Sequence, residues 1–202
     1  MFTGIVQEKG SILEFAPGPK AWKLRVGCQL AREDLAIGDS VAVNGCCLTA
    51  VEIDERGAAF DLLEETVRLT SFQQLQAGDG VNLETSLRFN GKIGGHFVTG
   101  HIDGVGEVLE REKHGADTRL RIKPPPAFQR YLIHKGSIAI DGVSLTVAEV
   151  GRDAFTVWLI PHTLEVTNLG ETRPGGRVNL EFDLLGKYVE RLAAFPPSRT
   201  ET

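Results

Sequence analysis

The 202-residue sequence has few of the features that mark secreted, membrane-bound or nucleic-acid-binding proteins. Its three cysteines, two of them adjacent, suit neither a disulfide framework nor a zinc site, so we expect free thiols and no metal. With 22 basic against 27 acidic residues and no basic stripe, nucleic acid is not an expected partner. Residues 1–8 carry neither a basic segment nor a long apolar run. We therefore expect a cytoplasmic protein with no signal peptide and no membrane contact.

Nucleotide-binding glycine motifs are also missing, although glycine itself is abundant. Residues 100–106 are glycine-rich but match neither the Walker pattern nor the dinucleotide pattern. The 23 glycines among 202 residues are a larger share than the roughly 7% of an average protein, and they are scattered singly along the chain. This distribution indicates many turns between short strands.

The sequence contains an internal repeat. Residues 3–6 match 99–102 at an offset of 96, and residues 40–49 match 137–146 at an offset of 97. The run VNLE at residues 81–84 recurs unchanged at residues 178–181. One slowly drifting offset over some ninety residues indicates two homologous domains in tandem. We place them at residues 1–90 and 96–184, with a linker over residues 86–95 and a tail at residues 185–202.

Each copy has the pattern of an all-β domain. Apolar residues alternate with period two, and Gly or Asn-Gly turns recur every 8 to 12 residues, which favours a small closed barrel over a doubly wound sheet. Short helical pieces are predicted at residues 31–35, 67–75 and 164–169. In the tail, Leu185, Val189, Leu192 and Phe195 share one helical face before a Pro-Pro stop. This stripe needs a partner, either the other barrel or another subunit.

The glycine-rich entry strand, the Gly-x-x-Leu-Thr turn and a later threonine recur in both copies and predict one pocket in each barrel. Backbone groups with Thr and Ser hydroxyls suit a planar ring with many hydrogen-bonding edges. The copies differ where chemistry would need them to differ: Cys46-Cys47 against Val143-Ser144, His101 against Ile5, Asp183 against Ser86, and Lys135 against Gly38. Each of these residues also has a structural alternative. The cysteines could be buried packing residues, His101 an ordinary surface or core histidine, Asp183 a helix cap, and Lys135 a solvated turn residue. The residues alone do not define the reaction.

Four segments resemble a known family. Residues 1–6 (MFTGIV), 44–49 (NGCCLT), 94–102 (GGHFVTGHI) and 135–147 (KGSIAIDGVSLTV) closely resemble riboflavin synthases of the alpha-chain type, which carry the lumazine-binding repeat in tandem. The resemblance covers nearly the whole chain. It implies two six-stranded Greek-key barrels followed by a C-terminal trimerisation helix.

The resemblance also implies an activity: dismutation of two 6,7-dimethyl-8-ribityllumazine molecules to riboflavin and 5-amino-6-(ribitylamino)pyrimidinedione, with no cofactor. It implies a homotrimer whose active site lies between the N-terminal barrel of one subunit and the C-terminal barrel of its neighbour, and association with lumazine synthase. The implied catalytic residues are Ser40, Cys47, His101, Thr146 and Asp183. The implied substrate contacts are Gly4, Ile5, Val6, Cys47, Leu48, Thr49, Asp61, Leu62, Leu63, Glu64, Glu65, Thr66, Gly100, His101, Ile102, Lys135, Ser144, Leu145, Thr146, Leu159, Ile160, Pro161, His162, Thr163 and Leu164.

For this reaction, the acidic C7 methyl of the lumazine needs a base in a pocket that stabilises the anion. His101 with Thr146 is the candidate base, and Ser40 or Cys47 would help addition of a hydroxyl to the other ring. Two alternatives stay open at this point. One is a lumazine protein that binds a chromophore without converting it, and the other, weaker one is a flavin-dependent oxidoreductase using Cys46-Cys47.

Overall fold

Alternation of buried and exposed side chains organises the chain into short antiparallel strands. The structure, a computed structural model, describes residues 1–33 and 35–195. The first six strands are β1 Glu8–Pro17, β2 Trp22–Gly27, β3 Ser40–Val43, β4 Cys46–Asp54, β5 Gly57–Leu62 and β6 Gly80–Thr85. The second six are β7 Gly104–His114, β8 Asp117–Lys123, β9 Ser137–Ile140, β10 Val143–Val150, β11 Phe155–Leu159 and β12 Arg177–Phe182.

Each set of six strands closes into an antiparallel barrel with the same neighbour order. The first barrel runs β1-β2-β5-β4-β3-β6 and closes by pairing β6 with β1. The equivalent strands of the second barrel run β7-β8-β11-β10-β9-β12, and β12 closes onto β7. The predicted fold class, two tandem six-stranded barrels followed by a C-terminal helix, is confirmed.

Equivalent tight turns join β3 to β4 and β9 to β10. Asn44 and Gly45 have φ values of 43° and 78°, and Asp141 and Gly142 have 44° and 80°. Two successive positive φ values define the type I′ hairpin turn, which Asn-Gly and Asp-Gly favour. A Cβ on Gly45 would lie 2.7 Å from the backbone nitrogen of Gly142. The two turns therefore pack back to back, and neither glycine leaves space for a side chain.

Each barrel encloses its own apolar core, and a third cluster joins the barrels. Phe60 and Phe72 are fully buried in the first core, as are Phe155 and Phe182 in the second. The third cluster consists of Phe2, Ala42, Val98 and Ala139. Ala42 and Ala139 occupy equivalent strand positions, so the repeat meets itself at this contact.

The contact between the barrels follows a local two-fold pseudosymmetry. Phe2 N donates to Val98 O at 2.7 Å, and Val98 N donates to Phe2 O at 3.1 Å. Asn82 Nδ2 donates to Asp141 O and Asn179 Nδ2 donates to Asn44 O, both at 2.9 Å. Both asparagines are buried, so these bonds satisfy side chains that would otherwise be costly to bury. The pairing of equivalent groups holds the two barrels in one arrangement.

Short helices connect the strands. Their bounds are α1 Leu30–Glu33, α2 Glu64–Leu69, α3 Pro161–Val166 and α4 Leu184–Ala194, with 3-10 turns at Ser71–Gln74, Pro126–Tyr131 and Asn168–Gly170. The predicted pieces at 67–75 and 164–169 therefore begin too late and are each interrupted, at Thr70 and Thr167, where the backbone is extended. Pro161 stands at the start of α3, a position its fixed φ favours. Of the predicted piece at 31–35, residue 34 lies outside the described residues.

Helix α4 has no counterpart after the first barrel. Asp183 Oδ1 accepts a hydrogen bond from Leu185 N at 2.9 Å and so caps the helix. Lys187 Nζ contacts Asp103 at 2.7 Å and ties the helix to the second barrel. Its predicted apolar stripe remains uncovered, since Val189 is 66% and Leu192 69% exposed. Residues 196–202 of the predicted tail lie outside the described residues.

Candidate active site

The predicted contacts of the first barrel come from three segments that the structure brings together. Residues 47–49 belong to β4, and residues 61–66 run from the end of the adjacent β5 into α2. Residues 100–102 come from the other copy: Cys47 N donates to Gly100 O at 2.8 Å, and Ile102 packs against the first core. We call this set the N-terminal pocket.

The second barrel repeats this construction with the roles of the copies exchanged. Residues 144–146 lie in β10, and residues 159–164 run from the end of β11 into α3. Ser144 N donates to Gly4 O at 2.7 Å, and Val6 packs against the second core. Lys135, with a φ of 65°, donates its backbone N–H to Val147 O at 2.8 Å, beside Thr146. We call this set the C-terminal pocket.

Two buried glutamates hold the crossing segments in place. Glu84 Oε1 accepts from Thr3 N at 2.7 Å and from Thr3 Oγ1 at 2.9 Å, while its Oε2 accepts from Gly4 N at 3.0 Å. Glu181 makes the same three bonds to the equivalent residues Thr99 and Gly100, at 2.6, 2.8 and 2.9 Å. Burial raises the pKa of Glu84, an effect that its hydrogen bonds to Thr3 and Gly4 oppose. Each glutamate thus fixes a segment that contacts the opposite barrel.

The five predicted catalytic residues divide between the two barrels and the segments that cross between them. Ser40 pairs with Thr49 across β3 and β4, Cys47 lies on β4, and His101 is exposed on the crossing segment beside Gly100. Thr146 is exposed on β10, and Asp183 stands between β12 and α4. In residues 1–33 and 35–195, no hydrogen bond or ion pair joins the first three to the last two. Within one chain, the structure leaves these two groups apart.

The adjacent cysteines have different environments. Cys46 is buried in the first core, and burial raises the pKa of its thiol to about 12. It is therefore a neutral packing residue at neutral pH, as one of the sequence alternatives held. Cys47 is half-buried at the edge of the N-terminal pocket. All three cysteines are free thiols.

Two clefts lie against the predicted pocket segments. One of about 480 Å³ is lined by Trp22 and by residues of α2, among them Glu64 and Glu65. Another of about 410 Å³ is lined by Ile5, Ser86 and the linker. Both clefts are open to solvent. In the part of the chain that the structure describes, no three His, Cys, Asp or Glu side chains group as metal ligands would.

Sequence reasoning did not single out several residues that shape these pockets. Glu84, Glu181, Asn82 and Asn179 all lie in the repeated VNLE run, which was a usable signal because polar residues duplicated within strands are seldom accidental. His96, whose Nδ1 lies 2.7 Å from Ser144 Oγ, was also missed. It stands directly after the predicted linker, and at the offset of 96 it has no equivalent residue in the first copy.

The fold and the paired pockets define a protein with tandem lumazine-binding domains. The model of the lumazine binding domain matches residues 3–86 and again 99–183. Riboflavin synthase of Actinobacillus pleuropneumoniae is 41% identical over 98% of this chain and 92% of its own length. That of Mycobacterium bovis is 42% identical over 95% of this chain and 98% of its own. The chain belongs to the riboflavin synthase family and is an enzyme.

Solved structures give the same fold. LumP complexed with 6,7-dimethyl-8-(1'-D-ribityl) lumazine superposes with a TM-score of 0.80 at 30% identity, covering 90% of this chain and 98% of that one. LumP complexed with riboflavin gives a TM-score of 0.84 at 30% identity, with 90% and 99% covered. Among the described helices, the longest has 11 residues, and none could cross a membrane.

Proposed function

We propose that this enzyme forms riboflavin from two molecules of 6,7-dimethyl-8-ribityllumazine. One lumazine transfers four carbons to the other and leaves as 5-amino-6-(ribitylamino)pyrimidinedione, so the atoms balance without an oxidant or cofactor. The names of the relatives and the ligand of the LumP structure support this substrate. The observation that carries the proposal is the pair of equivalent pockets with unlike side chains: Cys47 and His101 against Ser144 and Ile5.

Binding in each pocket rests on a backbone edge and hydroxyl groups. Residues 47–49 and 144–146 offer strand edges, and Thr66 and Thr163 stand at equivalent places on α2 and α3. Such groups suit the carbonyl and ring-nitrogen edge of a lumazine. The substrate ring and its ribityl chain are neutral, which agrees with a net charge of only −5.

Catalysis begins with removal of a proton from the C7 methyl of one lumazine. The resulting anion delocalises into the ring, so a modest base suffices when the pocket stabilises the charge. His101 with Thr146 is our candidate for this step, and Ser40 or Cys47 for addition of a hydroxyl to the other lumazine. Holding two rings face to face contributes much of the rate through proximity.

We further propose that the active site forms between subunits of a homotrimer. The N-terminal pocket of one subunit would face the C-terminal pocket of its neighbour. The uncovered stripe on α4 and the solvent-open clefts beside the predicted contacts support this assembly. It would also bring His101 of one subunit to Thr146 of another. A cytoplasmic location and association with lumazine synthase rest on the family resemblance alone.

The deciding assay incubates the purified protein with 6,7-dimethyl-8-ribityllumazine alone and follows riboflavin absorbance. We expect one riboflavin for every two lumazines consumed. Tight binding of lumazine without any riboflavin would instead indicate a chromophore-binding protein, the second candidate suggested by the likeness to LumP. Both copies of this chain keep their pocket motifs, and Ser40, Cys47, His101 and Asp183 are all present, which favours the enzyme.

A further inference from the structure

The segment that follows the linker places the imidazole of His96 against the wall of the C-terminal pocket. His96 Nδ1 lies 2.7 Å from Ser144 Oγ, and His96 N donates to Thr3 O at 3.1 Å. The preceding residue, Gly95, approaches so closely that a Cβ there would lie 2.6 Å from the Cβ of Ser144. The backbone at Gly95 and His96 is therefore held against Thr3 and Ser144, which fixes where the imidazole lies.

The second ring nitrogen of His96 determines where its proton resides. Nε2 is buried and has no hydrogen-bond partner among residues 1–33 and 35–195. Burial lowers the pKa of His96, and the nearby charges of Asp183 and Glu181 oppose this only in part, so the ring is neutral at pH 7. A neutral imidazole carries one N–H, and burying that N–H without an acceptor is more costly than burying a lone pair. The proton therefore belongs on Nδ1, where Ser144 Oγ accepts it.

A hydroxyl that accepts from His96 keeps its own hydrogen for another partner. Ser144 O–H is then free to donate away from the imidazole, and Ser144 is one of the residues predicted to touch the lumazine. In the first barrel the equivalent residue is Cys47, whose thiol is a much weaker donor. The two pockets would therefore differ in how strongly they polarise a bound ring.

We propose that His96 is a positioning residue that holds Ser144 as a hydrogen-bond donor to an acceptor atom of the lumazine in the C-terminal pocket. This inference rests on the proposed function, since it takes the lumazine as the ligand. A donor at the ring edge stabilises negative charge that develops in the ring, so it assists deprotonation of the C7 methyl. His96 thus gives the C-terminal pocket an oriented hydrogen-bond donor that the N-terminal pocket lacks.

The test is a double-mutant cycle on lumazine binding and on turnover. His96→Phe removes the donor, and Ser144→Ala removes the hydroxyl. Each single change should weaken lumazine binding by roughly three- to ten-fold, the size of one hydrogen bond, and should also lower kcat, because the same donor stabilises the anion formed on deprotonation. The double variant should bind lumazine within about two-fold of either single variant, because both changes remove the same interaction. His96→Asn, which can place an amide N–H where Nδ1 stood, should restore binding to within about two-fold of the wild type.

His114→Phe is the matched control, because His114 lies at the outer end of β7 with Glu112 as its partner. It should bind and convert lumazine as the wild type does. Multiplicative losses in the double variant, or no rescue by asparagine, would overturn the role of His96. If wild-type protein binds lumazine but forms no riboflavin, the proposed function fails, whereas the coupling measured by binding still decides this inference.

Discussion

At the scale of single residues, one difference between the copies affects stability directly. Asp141 stands where the first copy has Asn44, and both side-chain oxygens accept hydrogen bonds, from Asn179 N at 2.7 Å and Asn168 Nδ2 at 3.2 Å. Complete burial raises the pKa of Asp141 to about 7. Its carboxyl group is therefore protonated in the folded protein at a pH where the unfolded chain has already released the proton.

Asp141→Asn should therefore increase the free energy of unfolding near and above neutral pH. Wild-type stability is expected to fall as the pH rises from about 4, the unfolded pKa, to about 7, the folded one, and to change little beyond. The variant should lack this fall, with a gain on the order of a few kcal/mol at pH 8. Urea unfolding at several pH values measures the effect.

The reciprocal change supplies the control for this prediction. Asn44→Asp places a second carboxyl group at the equivalent turn, so it should steepen the loss of stability over the same pH range. Equal pH dependence of the wild type and Asp141→Asn would show that Asp141 is ionised in the folded state at little cost.

The proposed catalytic hydroxyls give a second prediction. Ser40 lies on β3 and pairs with Thr49 on β4. Thr146, the equivalent of Thr49 in the second barrel, lies on β10 and pairs with Ser137 on β9. Because proximity of two rings supplies much of the rate, Ser40→Ala and Thr146→Ala should slow turnover by about 10- to 1,000-fold without abolishing it. Steady-state kinetics with lumazine titrations measure this. Complete loss of turnover in Ser40→Ala with unchanged lumazine binding would contradict this account.

The residue comparison shows what sequence reasoning could reach. Aligning the copies identified Cys47, His101 and Asp183 as positions of difference, and the structure places each at a pocket edge or a strand end. It could not identify His96, because the first copy has no equivalent residue and the role of His96 depends on its contact with Ser144 on β10. The repeated VNLE run marks Asn82 and Asn179 as unusual, but their partners Asp141 and Asn44 become known only once the two barrels are packed together.

At the scale of elements, Glu84 and Glu181 hold the segments that cross from one barrel to the pocket of the other. Glu84→Gln replaces a carboxylate that accepts three hydrogen bonds by an amide whose NH2 group must face a backbone N–H. One buried donor is then left unsatisfied, which costs about 1–3 kcal/mol of unfolding free energy. Ligand binding should weaken at the C-terminal pocket, because Gly4 contacts Ser144.

Glu181→Gln should have the same energetic cost but weaken the N-terminal pocket, because Gly100 contacts Cys47. The matched control is Glu171→Gln, an exposed partner of Lys9 at 2.9 Å, which should cost less than about 1 kcal/mol. Denaturant unfolding and riboflavin titration separate the three variants. A loss in Glu84→Gln no larger than in the control would show that the glutamates do not order these segments.

The barrel class followed from the sequence, whereas the bounds of the short helices did not. Period-two patterns and turn residues predicted the barrels, since each strand has one buried face. Helices α2 and α3 begin earlier than predicted because no side-chain cap marks their starts: Leu63 and Ile160 precede them without any capping hydrogen bond. Tertiary packing sets where these helices begin, and the apolar pattern of a short segment does not predict that position.

At the scale of the whole molecule, α4 carries the prediction about assembly. Its exposed residues Val189 and Leu192 form an apolar surface that a second copy would bury. The double change Val189→Asp with Leu192→Asp should convert trimers to monomers and abolish turnover while leaving both barrels folded. Sedimentation together with the riboflavin assay measures both effects. Lys113→Glu, an exposed change of charge on β7, is the control, and a monomer with full activity would refute the intersubunit site.

The repeat also explains how much of the overall architecture was accessible from the sequence. A shared offset predicts that the copies have the same fold, and the identical strand order of the two barrels agrees. How the copies face each other was not accessible, because the contacts of Phe2 with Val98 and of Gly45 with Gly142 join equivalent residues and leave no complementary pattern to find.

The most direct test of two unlike pockets acting together across subunits uses a matched pair of blocking variants. Thr66→Trp should fill the N-terminal pocket and Thr163→Trp the C-terminal one, each abolishing turnover alone. Co-expressed with different tags and purified as mixed assemblies, the two should recover roughly a third of wild-type turnover, because each mixed head-to-tail ring of three then pairs the two intact pockets at one of its three interfaces. Mixed trimers that form no riboflavin would contradict the intersubunit pairing of the pockets.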